Sequence, residues 1–166
     1  WDDLLDPALE GQVAVAHPAS SGTAYTALFS QVLRLGGEDE AIAFMQDLHP
    51  NILQYTSSGA APAEMAGRGE VAVSVVFSHD CVRNIEAGFT DLEVSIPTEG
   101  TGYEIGGVAL IAGAPEPNAA KAWTDWSLTA AVQELGATEA ASFQLPTNPD
   151  AAVDERSVNL DEVELI

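Results

Sequence analysis

The sequence predicts an α/β domain with a mainly parallel sheet flanked by helices. Short apolar segments rich in Val and Ile recur along the chain, and most are followed by a polar turn and then by apolar residues at helical spacing. Strand, turn and helix repeated in that order indicate βαβ units and a parallel sheet. Hydrophobic residues form 46% of the 166-residue chain, which is enough for a packed core.

The predicted strands are the short segments in which β-branched and apolar residues dominate. Glu70–Phe77 is the strongest, since it is apolar at nearly every position, as a strand buried on both faces would be. The four strands predicted before residue 100 are Gln12–Ala16, Asn51–Tyr55, Glu70–Phe77 and Leu92–Ile96.

The predicted helices are marked by their ends. The first runs from Thr23 to Leu35 and stops at the glycine pair that follows it. The second begins with three acidic residues, a placement that the helix dipole favours. The helices predicted before residue 100 are Thr23–Leu35, Glu38–Leu48, Ala60–Ala66 and His79–Ala87, the last of them capped by Ser78.

The last third of the chain changes character. Pro97–Gly102 reads as a glycine-containing link, and Tyr103–Ala112 as an apolar strand. A single helix is predicted from Asn118 to Leu135, with Trp123 and Trp126 on one face and packed in a core.

The charge balance excludes several classes of partner. Asp and Glu number 26 against five Lys and Arg, for a net charge of −21. Nucleic acid and anionic membrane surfaces require basic patches that this chain does not have, and no apolar run is long enough for direct membrane insertion. The acidity fits either a protein adapted to high salt, which we favour, or a surface that meets a basic partner.

Two polar turns between a strand and a helix share the sequence Ser-Ser-Gly. They are Ser20-Ser21-Gly22-Thr23 and Ser57-Ser58-Gly59-Ala60. In open α/β sheets the ligand lies at the carboxyl ends of the strands, where helix N-termini offer free N–H groups. Such turns suit a phosphate or carboxylate without Arg or Lys. The alternative is that Ser20 or Ser57 only caps its helix.

A third turn places His79 and Asp80 directly after the strongest strand. Together these side chains can donate to and accept from hydroxyl groups, although here too capping is an alternative. His17, His49 and His79 show no spacing typical of metal ligands. We therefore predict no resident metal and no cofactor.

A serine hydrolase is the competing function from another class. Ser20 or Ser57 with His79 and Asp80 would supply the residue types of a catalytic triad. The chain has no Gly-x-Ser-x-Gly elbow, however, and an Asp next to its His in sequence orients the imidazole poorly. We therefore predict a protein that binds rather than an enzyme. An acidic interaction module without a small ligand is a third possibility.

Several motifs in order resemble the second lobe of the extracellular solute-binding proteins of bacterial and archaeal ABC importers, in the branch that includes ferric-iron, hexose-phosphate and phosphonate receptors. The motifs are Trp1-Asp2-Asp3-Leu4-Leu5-Asp6-Pro7, Pro18-Ala19-Ser20-Ser21-Gly22-Thr23, Gln54-Tyr55-Thr56-Ser57-Ser58-Gly59, Gly67-Arg68-Gly69-Glu70, Phe77-Ser78-His79-Asp80 and Glu99-Gly100-Thr101-Gly102-Tyr103-Glu104.

The resemblance implies a periplasmic-binding-protein-like fold of two α/β lobes that close on a solute. Residues 8–102 would be the second lobe, and residues 103–166 a crossover strand and a return segment of an incomplete first lobe. The chain is thus expected to be a fragment that lacks the signal peptide. The implied partner is an ABC importer permease. The implied location is the periplasm or the outer cell surface, with the full-length protein either soluble or lipid-anchored.

The resemblance also implies a ligand. Iron-binding members carry adjacent tyrosines after the strand that here ends at Phe77, whereas Phe77-Ser78-His79-Asp80 is similar to sugar-phosphate members. By this similarity, His79, Asp80 and Glu104 of this chain would contact sugar hydroxyls. The phosphate would lie on Ser57–Ala60, with Ser20–Thr23 assisting. A hexose phosphate or similar anionic solute is the expected ligand, and Fe³⁺ is the alternative within the family.

Overall fold

The computed structural model describes all 166 residues, which divide into two compact units. Unit 1 contains Trp1–Tyr103 together with Asn159–Ile166, and unit 2 contains Glu104–Val158. A backbone bridge between Thr101 and Leu165 ties the chain end to unit 1. The assignment of residues 8–102 and 103–166 to two lobes of a larger protein remains a prediction.

Unit 1 alternates strands and helices. Its elements are β1 (Val13–Ala16), α1 (Gly22–Leu35), α2 (Glu38–Leu48), β2 (Ile52–Thr56), α3 (Ala61–Gly67), β3 (Val73–Val75) and α4 (Ser78–Glu86). Unit 2 contains α5 (Pro117–Ser127) and α6 (Ala130–Ala140). None of these helices has the length and apolar character that a membrane crossing requires.

The sheet has three parallel strands in the order β2-β1-β3. β1 lies in the middle, with Val15 opposite Tyr55 on one side and opposite Val75 on the other. All four β1 residues are buried, and Ala24 of α1 packs with them in the core. The predicted α/β class with a parallel sheet and flanking helices is confirmed.

The ends of the first two helices follow the local sequence. The Ser21 side chain caps α1 by accepting from the Ala24 amide. Gly36 ends α1 in the left-handed region at φ +86°, where a glycine has no Cβ to strain. Three acidic residues occupy the first turn of α2, as expected from the dipole. Both helices therefore begin and end within one residue of the predicted bounds.

Three predictions about the strands and α4 in unit 1 are wrong. Leu92–Ile96 forms no strand, and the strand predicted at Glu70–Phe77 shortens to Val73–Val75. β3 pairs only with β1, over these three residues, and no fourth strand lies beyond it. A strand needs a partner for its backbone groups, so apolar composition alone did not produce one at Leu92–Ile96. Ser78 is also not the cap of α4, since it is the first helical residue and Phe77 precedes it.

The predicted strand Tyr103–Ala112 is also absent. Its residues have no regular secondary structure, and large side chains stand in solvent, with Ile105 73% and Ile111 80% exposed. No strand of this chain pairs with the segment. The β-propensity of the segment is therefore not realised.

The single helix predicted from Asn118 to Leu135 is two helices. Thr129 adopts an extended conformation between α5 and α6, and its hydroxyl donates to the Trp126 carbonyl at 2.7 Å. Trp123 and Trp126 were predicted to be core residues, yet both are exposed, with their rings 4.9 Å apart. The two rings contact each other, and the rest of unit 2 leaves both of them exposed.

Unit 2 has one buried anchor. Phe143 is buried, and the Arg156 guanidinium lies 4.6 Å from the centre of its ring. Arg156 also pairs with Asp154 at 2.8 Å, and the Ser157 hydroxyl donates to the Phe143 carbonyl at 3.0 Å. Order in unit 2 is thus maintained mainly by helices and local polar contacts.

Candidate functional site

The three polar turns predicted from the sequence lie at one edge of the sheet. Ala16, the last residue of β1, pairs with Thr56, the last residue of β2, and the His17 amide donates to the Thr56 carbonyl at 2.8 Å. β3 runs parallel on the other side of β1 and leads into α4. Since the strands are parallel, the turns that follow them emerge at the same edge.

The two Ser-Ser-Gly turns are in direct contact through Gly59. A Cβ atom at Gly59 would lie 2.7 Å from Cβ of Thr23 and 2.8 Å from Oγ of Ser21. Only a glycine permits this approach of the second turn to the first. We call the joined surface, residues Ser20–Thr23 and Ser57–Ala60, the cradle.

In the first turn of the cradle, most hydrogen-bonding groups are already engaged. The Ser20 hydroxyl and the amides of Ser20 and Ser21 donate to the His17 carbonyl, at 3.0 to 3.2 Å. The Ser21 hydroxyl accepts from the Ala24 amide at 3.4 Å. The capping alternative for Ser20 is thus wrong, because Ser21 is the residue that caps α1. The amides of Gly22 and Thr23, in the first turn of α1, have no intrahelical acceptor.

The second turn of the cradle leaves its serines at the surface. The Thr56 hydroxyl donates to the Ser58 carbonyl at 2.8 Å and fixes the turn. The residue that caps α3 is Ala60, which has no side chain able to cap, so the capping alternative for Ser57 is wrong. Ser57 and Ser58 are both exposed.

His79 and Asp80 lie in the first turn of α4, beyond the end of β3. Asp80 is buried, with Oδ1 2.9 Å from Nη2 of Arg83 and Oδ2 3.8 Å from Nε2 of His79. The His79 ring stacks on Phe77 at 5.5 Å between centroids. Burial lowers the pKa of His79 below its usual 6.5, with Arg83 adding to and Asp80 opposing this effect. The imidazole is therefore neutral at pH 7.

Glu104, the remaining predicted ligand residue, belongs to unit 2. It is exposed and lies in the segment 104–112, which has no regular secondary structure. Its role stays a prediction.

Sequence reasoning missed two features of this region. Gly59 was assigned to one turn, but its contact with Thr23 depends on strand register, which the sequence does not state. Arg83 was not singled out, although its position three residues after Asp80 on a helix predicts a contact between them. The i,i+3 spacing is the signal that would have found it.

A second concavity lies beside α2, apart from the cradle. It has a volume of about 440 Å³ and is lined by Ile42, Met45, Gln46, His49 and Tyr55. Nδ1 of His49 and the Tyr55 hydroxyl lie 3.0 Å apart there, and burial raises the pKa of Tyr55. Its walls are mostly apolar and include no Lys or Arg, so this hollow does not suit an anion.

Comparisons with known proteins agree on one family. The family described as "Bacterial extracellular solute-binding protein" matches residues 1–162. An uncharacterised protein of Haemophilus influenzae is 43% identical over all 166 residues, which correspond to 47% of that protein.

Two solved structures match the whole chain. The periplasmic binding protein AfuA from Actinobacillus pleuropneumoniae, solved with exogenous fructose-6-phosphate bound, is 42% identical with a TM-score of 0.94. The periplasmic binding protein P5PA is 35% identical with a TM-score of 0.92. The chain covers 51% and 52% of these two structures, so it spans about half the length of the relatives it matches.

Proposed function

The chain belongs to the bacterial extracellular solute-binding proteins, and from this premise we propose that its cradle and the His79–Asp80 pair capture an anionic, phosphorylated small solute. A hexose phosphate, or a molecule with the same combination of phosphate and hydroxyl groups, is the class of ligand. The protein would deliver this solute to an ABC importer permease without changing it chemically, as receptors of this family do.

The contact of Gly59 with Ser21 and Thr23 is the observation that carries the proposal. It joins two turns that follow neighbouring parallel strands, so the first turn of α1, with its unpaired Gly22 and Thr23 amides, and the exposed serines of the second turn belong to one surface. A phosphate accepts several hydrogen bonds at once and is stabilised at helix N-termini. The cradle can therefore hold a phosphate although it contains no Lys or Arg.

His79 and Asp80 suit the remainder of such a solute. They emerge at the same edge of the sheet as the cradle, in the turn after β3. A neutral imidazole can donate and accept, and Oδ2 of Asp80 can accept from a hydroxyl. Glu104 would add a further acceptor, as the resemblance implies. The fructose-6-phosphate recorded with AfuA, which is 42% identical, supports this class of ligand.

The proposed location is outside the cytoplasm, because the family is described as extracellular and the matched solved relatives are described as periplasmic. Attachment of the full-length protein by a lipid anchor remains part of the proposal. Adaptation to high salt rests on composition alone and also remains a prediction.

The test is thermal unfolding of the full-length protein against a panel of solutes. The panel contains glucose 6-phosphate, fructose 6-phosphate, fructose, inorganic phosphate, aminoethylphosphonate, and Fe³⁺ with and without phosphate. A solute at about 100 times its Kd stabilises the folded state by about 2.7 kcal/mol. We expect a rise in Tm with a sugar phosphate that is lost in His79→Ala and Asp80→Ala and kept in His49→Ala.

Other outcomes would point elsewhere. A rise in Tm with Fe³⁺ alone would support the iron alternative and contradict the sugar-phosphate proposal. Cleavage of a phosphate or carboxylate ester, abolished by Ser20→Ala or Ser57→Ala, would support a hydrolase. Silence across the whole panel would leave the family assignment intact and overturn the proposed ligand class.

A further inference from the structure

We propose that Arg83 is a positioning residue for solute capture: it holds one oxygen of the Asp80 carboxylate and offsets its charge, so that the other oxygen can accept from a hydroxyl of an anionic solute. This inference rests on the proposed function. In this role Arg83 acts through Asp80 and does not contact the solute itself.

The geometry around Asp80 fixes both its backbone and its side chain. The Asp80 amide donates to the Phe77 carbonyl at 3.0 Å, and the Asn84 side-chain amide donates to the Asp80 carbonyl at 2.8 Å. Nη2 of Arg83 lies 2.9 Å from Oδ1. Asp80 is thus held by groups from its own helix and the residue before it, with Oδ1 committed to Arg83.

The second oxygen of Asp80 retains accepting capacity. Nε2 of His79 lies 3.8 Å from Oδ2, beyond hydrogen-bond distance. A carboxylate oxygen has two lone pairs, and a sugar hydroxyl is a suitable donor for them. Fixing Oδ1 therefore sets the direction in which Oδ2 is presented.

Burial distinguishes this ion pair from the others of the chain. The Asp80 side chain is 8% exposed, against 72% for Asp2 with Arg34 and 49% for Glu64 with Arg68. A carboxylate buried without a cation is strongly disfavoured, whereas exposed pairs contribute little. One of only five Lys and Arg residues in the chain is thus placed at the most buried of these carboxylates.

Because the proposed solute is negatively charged, the negative charge of Asp80 has to be offset. The chain has a net charge of −21, and a phosphate that approaches an unpaired carboxylate in such a field is repelled. The pair is close to neutral, which removes the local barrier to an anionic solute.

The test measures binding to the full-length protein by calorimetry, with fructose 6-phosphate as the probe, in Arg83→Gln and Arg83→Lys. We expect at least about tenfold weaker binding in Arg83→Gln and less than about threefold loss in Arg83→Lys, which keeps the charge. Arg68→Gln is the matched control, because it removes the same charge from an exposed pair at the end of α3, and we expect no change. Equal losses in Arg68→Gln and Arg83→Gln would overturn the inference.

A double-mutant cycle shows whether Arg83 acts through Asp80. In an Asp80→Asn background, Arg83→Gln should cause no further loss of affinity, since no carboxylate remains to be held. This double variant also removes the unpaired buried charge, so it can be measured even if Arg83→Gln alone is destabilised. A full additional loss in the Asp80→Asn background would mean that Arg83 acts directly, contrary to the inference.

The titration of His79 shows whether the Arg83 charge acts on the His79–Asp80 pair in the folded protein. Since the Arg83 charge helps to lower the pKa of His79, Arg83→Gln should raise that pKa in an NMR titration, and Arg83→Lys should leave it low. If the wild-type protein binds no solute of the panel, the proposed function fails. If it binds fructose 6-phosphate and Arg83→Gln binds equally well, only the inference about Arg83 fails.

Discussion

Unit 1 and unit 2 are built from similarly apolar sequence, yet they bury it very differently. In unit 1, β1 lies between two partner strands and Val15 is 3% exposed. In unit 2, the apolar segment 104–112 has no partner strand and Ile111 is 80% exposed. The sheet core of unit 1 forms because backbone pairing brings its apolar segments together, and segment 104–112 has no such pairing. It also explains why the candidate site lies in unit 1, where paired strands fix the positions of the turns.

The largest effect should come from a charge placed in the core of unit 1. Val15→Asp buries a carboxylate with no cation near it, which should destabilise unit 1 by about 4 kcal/mol or more. Ile111→Asp is the matched change in unit 2 and should alter stability by no more than about 0.5 kcal/mol. Urea unfolding followed by circular dichroism measures both. Similar losses in the two variants would contradict the comparison.

The next effect should come from the glycines. Gly59→Ala forces the cradle turns apart, since its Cβ would overlap Thr23 and Ser21. We expect a loss of about 1–3 kcal/mol in stability and at least about tenfold in affinity for a sugar phosphate.

Gly106→Ala in unit 2 is the control for Gly59→Ala. A Cβ there meets nothing within 4 Å, so stability should be unchanged or slightly higher. Chemical denaturation and calorimetry measure the two quantities. If Gly59→Ala kept wild-type affinity, the joined cradle would not be the binding surface.

Gly59 also shows how much of the structure can be predicted from the sequence. The helix at Gly22–Leu35 was predictable because caps and apolar spacing are local. The missing strands at Leu92–Ile96 and Tyr103–Ala112 were not, because a strand depends on a neighbour that local sequence does not specify. The candidate site divides in the same way. Its turns were found from Ser-Ser-Gly, whereas the contact of Gly59 with Thr23 depends on register between two strands.

The two units should also differ in their response to pH. Burial lowers the pKa of His79 in folded unit 1, so the unfolded chain takes up a proton first as the pH falls below about 6.5. The contribution of neutral His79 to stability is therefore fully present above that pH, and it is lost as the pH falls through the lower pKa of folded His79. In unit 2, Arg156 lowers the pKa of Asp154 to about 2 from 3.8, so its contribution persists until the pH falls below about 4.

Urea unfolding between pH 7.5 and 5.5 tests this difference. The wild-type protein should lose a small amount of stability over this range. His79→Asn should flatten the slope, while His49→Asn, the exposed control, should keep it. An unchanged slope in His79→Asn would mean that another group accounts for the pH dependence.

The smallest effect should come from a change in salt concentration, which should act on both units alike. Acidic residues occur throughout the chain, so their mutual repulsion acts on both units, and salt shortens its range from about 10 Å at 0.1 M to about 3 Å at 1 M. We expect NaCl to stabilise each unit by about 1 kcal/mol or less, measured by hydrogen exchange of the β1 amides in unit 1 and the α6 amides in unit 2. Unfolding of both units at low salt would favour adaptation to a saline habitat, because screening would then be required for folding itself. A response confined to one unit would show that charge repulsion affects the two units unequally. Backbone pairing would then not be the only cause of the different burial of Val15 and Ile111.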